Sequence, residues 1–141
     1  MLNIVIPAAG AGSRFTKLGY QNPKPFIDIN GRSMLSRVVE NIGIPGAKYI
    51  FLFQKKHLEI FGPSFIEEIK RRSFIKDFEI ISTESLTQGA VSTALLSKPF
   101  IDNENELLIV NSDQLLEDGE ILRGVRYFEG RKVDGGIICF F

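Results

Sequence analysis

Apolar and polar positions along the chain fall into blocks, and the period of each block identifies an element. Leu2–Ile6 is a short, continuous apolar run, which reads as a strand buried on both faces. Tyr49–Phe53, Phe78–Ile81 and Leu107–Val110 repeat that pattern, and Gly135–Phe141 reads as a last strand. Between these runs the period lengthens. Met34, Leu35, Val38, Val39 and Ile42 share one face of a helix over Ser33–Ile42. Ser64 and Glu67 have capping-box spacing, which predicts a helix from Ser64 to near Arg72. Ala90, Val91, Ala94 and Leu95 mark a helical face within Gln88–Ser97. Asp118 is placed to cap a helix running through Ile121, Leu122, Val125 and Phe128. Two segments interrupt the alternation. Pro7–Arg14 is a glycine-rich loop directly after the first strand. Pro23-Lys24-Pro25 forces an extended stretch, ahead of a short strand Phe26–Ile29 closed by an Asn30-Gly31 turn.

Strands alternating with helices predict an α/β fold: an open, mostly parallel, Rossmann-like sheet with helices on both faces and right-handed crossovers. Ligands of such sheets bind at the carboxyl ends of the strands, where the strand order switches. That rule selects the loops after Ile6, Ile81 and Val110. The chain has 141 residues and no internal repeat or linker-like run, so residues 1–141 read as a single domain.

Composition narrows the function. Lys plus Arg and Asp plus Glu are both 17, giving zero formal net charge. That argues against a nucleic-acid partner held by a broad basic surface, while a small anionic ligand needs only a few local cations. The sequence has no apolar run long enough to span a bilayer, and Met1–Ile6 lacks the basic start of a signal peptide. Both features point to a cytoplasmic protein without a membrane partner. Cys139 is the single cysteine, so an internal disulfide is excluded; its apolar neighbours predict a buried, inert thiol. His57 is the single histidine, follows Lys55-Lys56, and reads as a solvated surface residue.

The candidate chemistry begins in the glycine-rich loop, Ala8-Ala9-Gly10-Ala11-Gly12-Ser13-Arg14. Small side chains let a backbone close on a phosphate or a base, and exposed N–H groups there make an anion cradle. The plain alternative is a tight strand-to-helix turn. A dinucleotide fingerprint would place a third glycine where Phe15 stands, and the Gly-Lys-Ser or Gly-Lys-Thr of a P-loop is missing. Lys24 lies between two prolines that would hold its ammonium at low entropic cost, unless it is simply a surface lysine on a turn. Asp113 follows the Leu107–Val110 strand, where a carboxylate can hold Mg²⁺ against phosphate oxygens or serve only as a turn residue.

Together these segments resemble a known family. Residues Ile4-Val5-Ile6-Pro7-Ala8-Ala9-Gly10-Ala11-Gly12-Ser13-Arg14-Phe15, followed by Pro23-Lys24-Pro25-Phe26-Ile27-Asp28-Ile29-Asn30-Gly31, look like the N-terminal signature of the sugar-phosphate nucleotidylyltransferases, glucose-1-phosphate thymidylyltransferases among them. Thr87-Gln88-Gly89-Ala90 resembles the family segment that contacts the base, and Asn111-Ser112-Asp113-Gln114 its first metal-binding aspartate motif. The resemblance implies the fold of the nucleotide-diphospho-sugar transferases. It also implies transfer of a nucleoside monophosphate from an NTP to a sugar phosphate or another small phosphorylated acceptor, with release of pyrophosphate and Mg²⁺ as cofactor. The setting implied is nucleotide-sugar synthesis for capsule or lipopolysaccharide. Ala8 and Gly10 would then lie against base and ribose, with Ala9, Ala11 and Ser13 completing the loop. Gly12 and Arg14 would hold the β- and γ-phosphates, Lys24 would neutralise the reacting phosphates, Gln88 and Gly89 would read the base edge, and Asp113 would bind Mg²⁺. Arg14, Lys24 and Asp113 form the implied catalytic set. A homo-oligomer is compatible with this reading.

Members of this family are usually longer, and their later half supplies the acceptor site and a second metal-binding aspartate. The expectation is therefore that residues 1–141 are the N-terminal part of a longer nucleotidyltransferase domain, incomplete at the C-terminus. Asp134 begins a predicted strand instead of ending one, so it is not read as that second ligand. Two other functions compete. A glycosyltransferase of the related nucleotide-sugar fold would want an Asp-x-Asp motif where this chain has Asn111-Ser112-Asp113. A non-catalytic nucleotide-binding remnant would keep the loop without the transfer.

Overall fold

In the computed structural model, which describes residues 1–131 and 133–139, four strands form one all-parallel sheet. They are β1 (Leu2–Pro7), β2 (Lys48–Gln54), β3 (Asp77–Thr83) and β4 (Glu106–Ile109), in the spatial order β3-β2-β1-β4. Val5 of β1 stands opposite Ile50 on one side and Ile109 on the other. The order reverses beside β1, so the switch point lies between the ends of β1 and β4.

The pleat sends alternate side chains to opposite faces. Ile4, Ile6, Tyr49, Phe51 and Phe53 build the larger core. Helix α2 (Met34–Ile42) covers it with Leu35, Val38, Val39 and Ile42, helix α3 (Lys55–Lys70) with Phe65 and Ile69, and helix α6 (Glu120–Glu129) with Ile121. Val5, Ile50 and Leu52 face the other way, against Ala94 of α4 (Ala90–Leu95) and Phe100 and Ile101 of α5 (Lys98–Ile101). A five-residue helix α1 (Ser13–Lys17) follows the glycine-rich loop. Among the described residues, no helix is long and apolar enough to cross a membrane.

Helix α2 ends where its sequence says it should. Ser33 caps it by accepting from the Ser36 N–H, and Gly43 closes it in the left-handed region. Elsewhere several expectations need correction. Phe26–Ile29 is not a strand: Lys24–Phe26 form a 3-10 turn and only an isolated Asp28–Ser33 bridge remains. Phe26 is drawn into the core, where its ring stacks on Phe61 at 4.7 Å and Phe53 at 5.5 Å, and this outweighs an extended backbone. The Asn30-Gly31 turn does form, with both residues at positive φ and Ile29 N–H donating to Arg32 O.

Helix α3 starts nine residues before Ser64 (64 − 55) and runs through Pro63. The Ser64 hydroxyl donates backward to Phe61 O and caps nothing. Contacts of Phe61 and Phe65 with the larger core stabilise the helix past a residue that would break it in isolation. The predicted Gln88–Ser97 helix is shorter, with α4 covering Ala90–Leu95 and α5 following from Lys98; the buried residues of the predicted span are Thr93, Ala94 and Ser97, while Val91 and Leu95 face solvent. Gly119, not Asp118, caps α6. No strand forms over the described part of Gly135–Phe141, and Phe140 and Phe141 lie outside the described residues. With no pairing partner in the sheet, that segment leaves Cys139 exposed instead of buried. His57 is half-buried on α3, not solvated; its Nδ1 is buried without a hydrogen-bond partner, and burial is the main cause that lowers its pKa, with Lys56 adding to it.

Candidate functional site

The carboxyl ends of β1 and β4 open into a cleft of about 700 Å³. Its floor is the glycine-rich loop. This loop leaves the sheet after the Ala8 N–H donates to Leu52 O at 2.8 Å. Gly12 has φ +60°, a left-handed backbone that costs a residue with a Cβ about 1–2 kcal/mol. Space is a second constraint there: a Cβ on Gly12 would lie 3.2 Å from the Lys24 Cβ. The loop and the Pro23-Lys24-Pro25 segment thus approach each other closely because residue 12 lacks a side chain.

Lys24 is positioned from behind by Phe26. The 3-10 turn ties Phe26 N–H to Pro23 O at 2.8 Å, and the buried Phe26 ring anchors that turn to the aromatic core. The Lys24 ammonium reaches across the cleft to Asp113 Oδ2 at 2.5 Å, and it also lies 5.9 Å from the Phe15 ring centroid. Both side chains are partly open to water, at 26% and 36%. Asp113 comes from the loop after β4, which is braced by the Asn111 amide donating to Gln114 Oε1. A cation and an anion from separate loops therefore meet at the switch point.

The far wall is the start of α4. Gly89 precedes it with φ +130°, which strongly favours glycine, and a Cβ there would meet nothing within 4 Å. Thr93 donates its hydroxyl to Gly89 O at 3.1 Å, and the Thr87 and Thr93 hydroxyls are in contact.

Of the residues singled out in the sequence, Ala8, Gly10, Ala11, Gly12, Ser13, Arg14, Lys24, Gly89 and Asp113 line this cleft. Arg14 is exposed and makes no ion pair among the described residues. Ala9 is buried beneath the loop and Gln88 is exposed; neither lines the cleft. Sequence reasoning passed over Phe15, Leu18, Leu86 and Thr93, which also line it. It also passed over Gln54, whose buried amide donates to Ala9 O at 2.9 Å and Gly10 O at 3.1 Å. The available signal was a polar residue ending an otherwise apolar strand.

Among the described residues, no group of three or more His, Cys, Asp or Glu is arranged to hold a metal ion. Asp113 supplies the one carboxylate among the residues lining the cleft. Mg²⁺ is commonly held by one or two carboxylates together with substrate phosphates, so this donor set fits an ion that arrives with a triphosphate.

Comparison with known proteins agrees with the fold. The bifunctional protein GlmU of Methanocaldococcus jannaschii is 26% identical over 118 residues, which cover 83% of this chain and 26% of that protein. A nucleoside-diphosphate-sugar pyrophosphorylase from Vibrio cholerae RC9 is 25% identical with a TM-score of 0.62, over 78% of this chain and 47% of that one. A UTP-bound UGPase from Acinetobacter baumannii is 18% identical and superimposes with a TM-score of 0.67, over 92% of this chain and 53% of that one. The chain thus spans about half of these solved structures and a smaller share of the curated relative. Residues 3–141 match the family model described as nucleotidyl transferase. With that match across nearly its whole length, the chain belongs to the nucleotidyl transferase family.

Proposed function

We propose that this chain is the nucleotide-binding part of an enzyme that transfers a nucleoside monophosphate from an NTP to a phosphorylated small molecule, foremost a sugar phosphate, and releases pyrophosphate. One observation carries the reading: the glycine-rich loop, Lys24 and Asp113 converge on a single cleft at the sheet's switch point. The reaction fits nucleotide-sugar synthesis in the cytoplasm, feeding capsule or lipopolysaccharide. The chain would be the N-terminal part of a longer domain, with acceptor-binding residues beyond it.

In the reaction, an oxygen of the acceptor's phosphate attacks the α-phosphorus of the NTP. The bond from that phosphorus to the bridging oxygen breaks, and pyrophosphate leaves. A phosphate oxygen is already ionised at neutral pH, so no general base is required. The difficulty is bringing two anions together, and fixed positive groups offset that repulsion. Loop N–H groups and Arg14 bind the triphosphate, and Lys24 neutralises charge at the reacting phosphates. Gly89, which lines the far wall of the cleft, would lie against the base, with Gln88 beside it outside the lining. Asp113 is the residue that would hold Mg²⁺, which supplies further charge neutralisation on the phosphates when bound.

The Lys24–Asp113 pair is compatible with this. A partly exposed ion pair is worth about 0–1 kcal/mol, so a triphosphate and its cation can part the two side chains at little cost. Isothermal titration with a panel of NTPs, with and without Mg²⁺, tests the reading. Lys24→Ala should weaken triphosphate binding about tenfold or more, the worth of one hydrogen bond to a charged group. Asp113→Asn should chiefly remove the Mg²⁺ dependence. Parent-like titrations from both variants would refute the site.

A further inference from the structure

We infer that Gln54 is a positioning residue of this cleft: its buried amide fixes two peptide planes of the glycine-rich loop, so that the loop presents donors and not acceptors to a nucleotide. The inference rests on the nucleotide reading above and concerns a residue outside the cleft's lining.

Gln54 ends β2 and is only 5% exposed. Its Nε2 donates to Ala9 O and to Gly10 O, at 2.9 and 3.1 Å. Both peptide bonds that follow these carbonyls are trans. In a trans peptide unit the C=O and the next N–H point in opposite directions. Drawing the Ala9 and Gly10 oxygens toward β2 therefore aims the Gly10 and Ala11 N–H groups away from β2. Gly10 and Ala11 both line the cleft, while Ala9 is buried beneath the loop. Among the described residues, no N–H from Ala9 to Gly12 donates to another group of the chain. The loop's acceptors are thus engaged inside the protein, and its donors are left for a ligand.

The sign of that polarity matters. A peptide plane turned over would present a carbonyl oxygen to an anionic ligand, replacing attraction with repulsion. Gly10 has no side chain and Ala11 is exposed, so side-chain packing restrains the Gly10–Ala11 plane little, and the hydrogen bond supplies the restraint. One side chain supplies it for two consecutive planes. A purely structural Gln54 would stabilise the protein without affecting the nucleotide selectively.

The test uses the 141-residue chain labelled with ¹⁵N and titrated with Mg²⁺ and the NTP that binds best. In the parent, the Gly10 and Ala11 amides should shift strongly on saturation. Gln54→Met keeps the length and apolar contacts but removes the donors; it should weaken NTP affinity about tenfold and shrink those two shifts. Val38→Ala, a core truncation away from the cleft, serves as a destabilised control and should bind nearly as the parent does. The parent's own amide shifts are read without any variant, so they can still refute the inference even if Gln54→Met unfolds. A parent that binds NTP with unmoved Gly10 and Ala11 amides, or a folded Gln54→Met that binds as tightly as the parent, overturns the role of Gln54 and leaves the function standing. A parent that binds no NTP overturns the functional reading and this inference together.

Discussion

Gly12 shows how much one missing side chain can decide. Its φ is +60° and its absent Cβ would crowd Lys24. Gly12→Ala is expected to lower stability by about 1–2 kcal/mol from the backbone alone, read as a shift of the urea midpoint. It should weaken NTP binding as well, since relief of the clash moves Lys24. A stability loss with parent-like binding would mean that loop and lysine are not mechanically joined. The glycines and Lys24 were visible in the sequence because backbone freedom and proline restraint are local properties. The pairing of Lys24 with Asp113 was not, because the partners stand 89 residues apart (113 − 24) and meet only through the strand order.

At the scale of elements, α3 carries the clearest lesson. A capping-box spacing argued for a helix beginning at Ser64, yet the helix runs from Lys55 and passes through Pro63. Local signals weigh tenths to a few kcal/mol, and the burial of Phe65 and Ile69 with partial burial of Leu58 and Phe61 exceeds them. Pro63→Ala should raise the unfolding free energy by about 1 kcal/mol or more, because an interior proline removes a helical hydrogen bond; thermal melts measure it. Phe26→Ala should do the opposite, costing about 3–5 kcal/mol as a large core truncation. Because Phe26 anchors the turn that holds Lys24, this variant should also lose NTP affinity at temperatures where it is still folded.

For the molecule as a whole, the parallel α/β architecture was legible, since the central strands β1 and β2, buried on both faces, are uniformly apolar; β4 was read as a core strand on the same pattern, yet Leu107 and Ile109 are exposed. Residues 135–139, the described part of the expected last strand, were misread because an apolar run looks like a strand whether or not a neighbour exists to pair with it. His57 was misread for the converse reason: polar neighbours in sequence concealed packing from elsewhere. Its pKa is depressed below the ordinary 6.5 by burial. The unfolded chain therefore takes up the proton first as pH falls. The contribution of neutral His57 to stability is full above pH about 6.5, and declines as pH drops from there through its lower native value. Urea midpoints of the parent and His57→Leu, compared above and below that pH, should show the parent losing stability relative to the variant on the acid side; a constant gap would contradict it.

The sheet order has a consequence for how the chain comes into being. β1 is made first, yet it lies between β2 and β4. During synthesis, Val5 waits for Ile50 on one flank and for Ile109 on the other. The loop after β1 is braced by Gln54, while the lysine's counter-ion emerges only with residue 113. A nascent chain released before that point would hold half a cleft, so capture of a nucleotide reports that the ribosome has delivered the fourth strand and that its long-range closure is complete.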